Sequence, residues 1–216
     1  MRGLAMLALS AALMVAAAAG PLASQEIVDR IVVRVENDVI LSSDIRALSR
    51  YQQFVDGKSE GDAQILDRLI DQWIVRTEMD VAHFPHPSEA EIERSLSRLK
   101  KSFASEEEYE ARKKQCSLSD AELRAMAALQ LYMSNYLDSR FRPAVQIDSK
   151  AIEDFYQDAV VAAAKARGQE PPTLEAARDS IEEALVQRGI NEQADVWLKE
   201  SRARLHIEKL LDEDKK

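Results

Sequence analysis

Hydrophobic spacing is most informative near the end of the chain, over residues 178–211. Ile181, Leu185, Val196 and Trp197 read as the buried stripe of a long helix. The period then changes near Leu205, His206 and Ile207, where alternation predicts a short strand. A lone strand after a helix needs a partner. The best candidate lies near the other end: Ile31, Val33 and Val35 alternate with Arg30, Val32 and Arg34, which predicts a strand with one buried face. Glu36, Asn37 and Asp38 supply turn chemistry, Val39 to Leu41 returns as a second strand, and Ser42 or Ser43 caps a helix over 44–55. The expected fold is therefore mainly α with a small β-sheet, in which an N-terminal hairpin pairs with a C-terminal strand.

Between these ends the pattern is helical. Residues 62–83 carry an apolar face of Ile65, Leu66, Leu69, Ile70, Trp73 and Ile74, stopped by Pro85. Three S-x-x-E capping boxes follow: Ser88 with Glu91, Ser105 with Glu108, and Ser119 with Glu122. The helix that Ser119 opens differs from the others. Leu123, Met126, Leu129, Leu131, Tyr132, Met133, Tyr136 and Leu137 leave little of its circumference polar. Such a helix is either central in the core or faces a groove that fills with something else. Asp148 caps the next helix, with Ile152, Phe155 and Tyr156 as its stripe, which fades over 160–167 into a Gly-Gln-Glu-Pro-Pro linker. Thr173 then caps the long closing helix.

The first residues stand outside this pattern. Arg2 precedes a nearly continuous apolar run over 4–19, followed by small residues suited to cleavage, so 1–23 reads as a secretory signal peptide. A retained anchor is the structural alternative, although the run is shorter than the roughly 20 residues that span a bilayer. With the leader removed, the expected organisation is one domain over 24–211. It comprises an N-terminal module (24–166), a linker (167–173) and a closing helix and strand (174–211), with a charged tail at 212–216. No stable membrane insertion is expected after cleavage.

Charge and composition narrow the chemistry. The formal net charge of −9 becomes −10 once Arg2 is lost, which disfavours nucleic acid and anionic lipid as partners. Cys116 is the single cysteine, so no disulfide framework holds the fold, and it reads as a small, partly buried apolar residue. Gly57, Lys58 and Ser59 lack the earlier glycine and preceding strand of a phosphate loop, and read as a linker. His83 and His86 flank Pro85, which breaks the geometry a metal pair would need. The glutamates at 106–108 and 182–183 read as solvated helix faces. Neither a metal nor a cofactor is expected.

Three separated parts of the chain share a further property. Residues 29–45, DRIVVRVENDVILSSDI, resemble the first strand, turn, second strand and capped helix of the SurA-type periplasmic chaperones and the related PrsA and PpiD foldases. Residues 118–141 and 147–156, LSDAELRAMAALQLYMSNYLDSRF and IDSKAIEDFY, are similar to the long helix and following segment of that module. The closing stretch, with Glu192, Ala194, Trp197, Glu200, Arg202 and Ala203, resembles the family's C-terminal segment. Members of that family usually carry parvulin isomerase domains before the closing segment. Here only 167–173 occupies that interval, so the isomerase residues have nothing to map onto.

The resemblance implies an ATP-independent periplasmic holdase that binds unfolded or partly folded exported polypeptides, including outer-membrane protein precursors, without isomerase activity. A non-enzymatic envelope scaffold that docks one folded partner is the alternative. A holdase needs exposed apolar surface, and the surplus apolar positions nominate Met126, Leu129, Met133 and Tyr136, with Met79, Phe84 and Phe103 as outlying contacts.

Overall fold

A computed structural model describes residues 29–210. The expected leader at 1–23 and the charged tail at 212–216 lie outside the described residues, as do 24–28 and Leu211. The fold is mainly helical with one small antiparallel sheet.

Strand β1 (Ile31–Val35) is central, flanked by β2 (Asp38–Leu41) and β3 (Ile207–Lys209). Val35 pairs with Ile207 and Val33 with Lys209, so the two ends of the described chain meet as the alternation predicted. Simple alternation fails at one point. A register shift between Ile31 and Val33 on the β2 side turns Val32 inward beside Val33, leaving the two 1% and 0% exposed. The left-handed residue of the hairpin turn is Glu36, with φ 52°, rather than Asn37 or Asp38.

Helix α1 (Ser42–Asp56) is not capped by a serine. Its N-cap is Leu41, whose N–H donates to the Asp44 carboxylate at 2.8 Å. Ser42 and Ser43 turn back instead: the Ser42 hydroxyl and the Ser43 N–H donate to Asp29 Oδ1 at 2.7 and 3.1 Å. These bonds hold the Asp29 carboxyl down at about 2.

Helix α2 (Asp62–Val81) ends before Pro85 can act. His83 adopts φ 47°, its N–H donates to the Asp80 carbonyl, and the Phe84 N–H donates to the Met79 carbonyl at 3.0 Å. That Schellman closure ends the helix. Helices α3 (Glu89–Lys101), α4 (Glu106–Gln115) and α5 (Asp120–Phe141) start at Ser88, Ser105 and Ser119. Glu91 and Glu122 complete reciprocal boxes, whereas Glu108 accepts from the Ala104 N–H and leaves the Ser105 amide out.

Beyond a 3-10 turn at Arg142–Ala144, α6 (Ser149–Phe155) does not fade as its sequence suggests. It runs through a π-helical stretch, Tyr156–Val161, into α7 (Ala162–Ala166). Thr173 accepts from the Ala176 N–H to start α8 (Leu174–Arg204).

Helix α5 packs against α2, α3 and α8, and apolar packing around it joins the sheet to the helical body. Tyr51, Phe54, Tyr109, Leu118 and Leu123 bury Cys116, which is more deeply enclosed than its sequence context implied. A satellite core of Ile152, Ala177, Ile181 and Leu185 holds α6 to the first half of α8. In the second half of α8 the inward positions are Ile190, Ala194 and Ser201, with Trp197 half-buried. Val196 falls out of step with that face and is 58% exposed, which corrects its place in the stripe.

Two polar devices fix α8. Arg142 donates at 2.8 Å both to Asp138 on α5 and to Glu183, which is therefore not simply a solvated residue and whose carboxyl is held at about 2. Arg202 donates to Asp71 at 2.7 Å and to the Asp67 carbonyl on α2, and Lys209 reaches Asp67 Oδ1 at 2.9 Å. Among the described residues no helix is long and apolar enough to cross a membrane.

Candidate functional site

Helix α5 separates two open grooves. The larger, about 760 Å³, lies between α1, α2 and α5. Leu48, Tyr51 and Val55 give it an apolar wall, and Gln72 and Gln130 face it from α2 and α5. The Tyr51 hydroxyl donates to Gln130 Oε1 at 2.9 Å, which leaves the Gln130 amide nitrogen able to donate elsewhere. At the rim, Arg68 clamps Glu60 and Gln52 holds it from a second side, so the Glu60 carboxyl titrates at about 2. Gly57 ends α1 at φ 72°, and Lys58 and Ser59 border the groove beside it.

The smaller groove, about 570 Å³, lies between α2, the start of α3 and α5. Met79, Ile92 and Tyr132 form its base, with Leu129 partly exposed in its wall. His86 stacks on Tyr132 with ring centroids 4.4 Å apart. Arg76, Asp80 and Glu89 supply a charged margin. His83, in contrast, serves as the left-handed helix terminator. Among the described residues no three metal-ligating side chains converge.

The seven nominated contacts divide by burial. Met79 is 1% exposed and Tyr136 5%, so both are core residues and neither offers a free surface. Surplus apolarity in the sequence marked them, but α2 and α5 turn them toward each other, and Tyr136 engages Arg140 through its hydroxyl at 2.8 Å. Phe84 is half-buried against Tyr132 and Tyr136, at 5.9 and 5.3 Å between centroids. Phe103 lies apart from that cluster, packed on Phe54 and Tyr109 at 5.1 and 5.3 Å. Met126 and Met133 are half-buried at the edges of core clusters. Leu129 alone of the seven combines partial exposure with a place in a groove wall.

Gln72, Gln130 and Leu48 were not singled out by apolar patterning. Gln130 carried a usable signal, being a polar residue inside an otherwise apolar run of α5. No protein-family model matches the chain, and no curated protein matches it at a significant level.

Proposed function

We propose that this chain is an ATP-independent holdase of the bacterial periplasm. It binds unfolded exported polypeptides, outer-membrane protein precursors among them, without peptidyl-prolyl isomerase activity. The observation that carries this reading is the position of α5, which lends apolar side chains to the core on some faces and borders two open grooves on others. Grooves with apolar walls and polar margins accept extended chain segments of varied sequence. The pairing of the N-terminal hairpin with β3 is consistent with the resemblance noted in the sequence, and residues 167–173 between α7 and α8 leave no room for an inserted isomerase domain. Clients would exchange through weak, reversible contacts, without nucleotide.

The test is aggregation suppression. Several unrelated polypeptides, both outer-membrane and soluble, are diluted from denaturant with and without the protein, and photo-crosslinkers are placed at Leu129 and at the exposed control Val196. The expected result is suppression across unrelated clients with crosslinks concentrated at Leu129. Equal crosslinking at both positions, or protection of no client, would defeat the reading. Capture of one folded partner alone would instead support an envelope scaffold.

A further inference from the structure

The larger groove sets an apolar wall beside amide side chains whose hydrogen-bonding groups the fold leaves open. Leu48, Tyr51 and Val55 form the wall, spaced i, i+3 and i+7 along one stripe of α1. Gln72 lines the groove from α2, and its side chain makes no hydrogen bond with a described residue. Gln130 lines it from α5. The hydroxyl of the buried Tyr51 donates to Gln130 Oε1 at 2.9 Å and so orients this amide, whose nitrogen has no partner among the described residues. The third amide of the lining differs: Gln52 donates to Glu60 Oε2 and accepts from the Glu60 N–H, both at 3.0 Å. Charge in the lining balances, with Asp56 and Glu60 set against Lys58 and Arg68, and Arg68 donates to Glu60.

Open amides, an apolar wall and balanced charge together fit a neutral ligand that carries both donors and acceptors. The extended peptide backbone is such a ligand: each residue offers one N–H and one C=O, and successive side chains point to opposite faces. A glutamine amide has a donor end and an acceptor end, so it can bond either backbone group. We infer that the larger groove holds an extended client by its backbone, with Gln72 and Gln130 bonding peptide groups while the α1 wall packs every second side chain. The inference rests on the holdase reading and names the part of the client that is recognised.

The backbone is common to all sequences, so bonding it gives affinity with little sequence preference, as a holdase requires. An amphipathic helix fits less well. Its backbone groups are already bonded to one another, and it would leave both glutamines without a partner.

Two fluorescent peptides test this: one with apolar residues at alternate positions, and a twin with the same side chains in which the amide bonds of that stretch are replaced by esters. An ester has no N–H and is a weaker acceptor. Anisotropy titrations are run against the wild-type protein and Q72M/Q130M, which keeps side-chain length without the amides, with the fold checked by circular dichroism. Q72M alone leaves the Tyr51 bond in place and carries the comparison where the double variant does not fold. The amide peptide is expected to bind the wild type about 3- to 10-fold more tightly than its twin, and that ratio should fall toward one in the double variant and partway in Q72M. Apolarity alone gives the opposite order. Equal binding of the twins, as a helical occupant would give, tighter binding of the ester, or a ratio unchanged by the substitutions would overturn the inference and leave the holdase reading standing. Failure of both peptides to bind would overturn the two together.

Discussion

Glu36 and His206, 170 positions apart, exchange two hydrogen bonds: the Glu36 N–H donates to the His206 carbonyl at 3.0 Å, and the His206 N–H donates to Glu36 Oε1 at 2.7 Å. Glu36 does this from a left-handed backbone, φ 52°, that costs a side chain about 1 kcal/mol. Its carboxylate offsets that strain by satisfying the amide at the entry to β3. Glu36→Ala keeps the strain and loses the bond, so it is expected to lower stability by about 1 kcal/mol. Glu36→Gly loses the bond but relieves the strain, and should cost less. Urea melts of the two variants check the order; equal losses would remove the strain from the account.

His83 and Ser117 also sit at φ 47° and 52°, each ending a helix through a Schellman pair of backbone bonds. Glycine adopts that conformation without a Cβ penalty. His83→Gly and Ser117→Gly are each expected to stabilise the protein by about 0.5–1 kcal/mol. Thermal melts that show a loss would contradict a strained left-handed residue at these helix ends.

Gly189 lies inside α8 where the 142–147 segment crosses it, and a Cβ there would meet Val145 Cγ1 at 2.7 Å. Val145 is β-branched and cannot easily swing aside. Gly189→Ala therefore should destabilise by about 1–2 kcal/mol despite its better helix propensity. Adding Val145→Ala should recover part of that loss, because the two changes share one contact. A double-mutant cycle measures the recovery, and strict additivity would exclude the contact.

The seven apolar residues nominated from sequence should separate experimentally by burial. Met79→Ala removes a 1% exposed side chain and is expected to cost about 2–4 kcal/mol of stability. Leu129→Asp should leave the fold largely intact and weaken the proposed client protection severalfold. Chemical denaturation and aggregation assays on both variants distinguish the two effects.

Asp29, Glu60 and Glu183 are each held at about 2 by hydrogen bonds to serines, to Arg68 and Gln52, and to Arg142 and Gln187 respectively. A carboxyl with a depressed folded-state pKa stabilises fully above its unfolded value near 4, and that contribution is lost as pH falls toward 2. Asp71 has the opposite sign: burial raises its pKa, so its contribution is lost as pH rises from the ordinary carboxylate value through the raised one, above the window in which the other three act. Denaturant midpoints should therefore drop between about pH 4 and pH 2, and Asp29→Asn should flatten part of that slope.

Much of the architecture was legible in the sequence, and the exceptions have physical causes. Alternation at Ile31, Val33 and Val35 located β1, and Ile207 located its distant partner. The serine caps at 88, 105 and 119 placed three helix starts. The bulge that buries Val32 was not legible, because a register shift leaves no mark on composition. Nor were the turns at His83 and Ser117, where no glycine signals a left-handed residue. Among the candidate contacts, apolarity could not separate Leu129 from Met79 and Tyr136, since partner helices and not local pattern decide which face is covered. The amide lining at Gln72 and Gln130 follows no apolar pattern, because the packing of α2 against α5 and not local spacing brings the two to one groove.

The pairing of Val35 with Ile207 also sets an order of events during synthesis. A chain that appears from its N-terminus delivers β1 before β3, with Val33 and Val35 ready to pack, yet one side of that strand has no neighbour until Ile207–Lys209 has emerged. The ribbon must wait, open-edged, for β3. Completion of the sheet is then a late step that joins Val35 to a strand at Ile207, and a chain cut short before Ile207 would present a bare, sticky strand to whatever lies nearby.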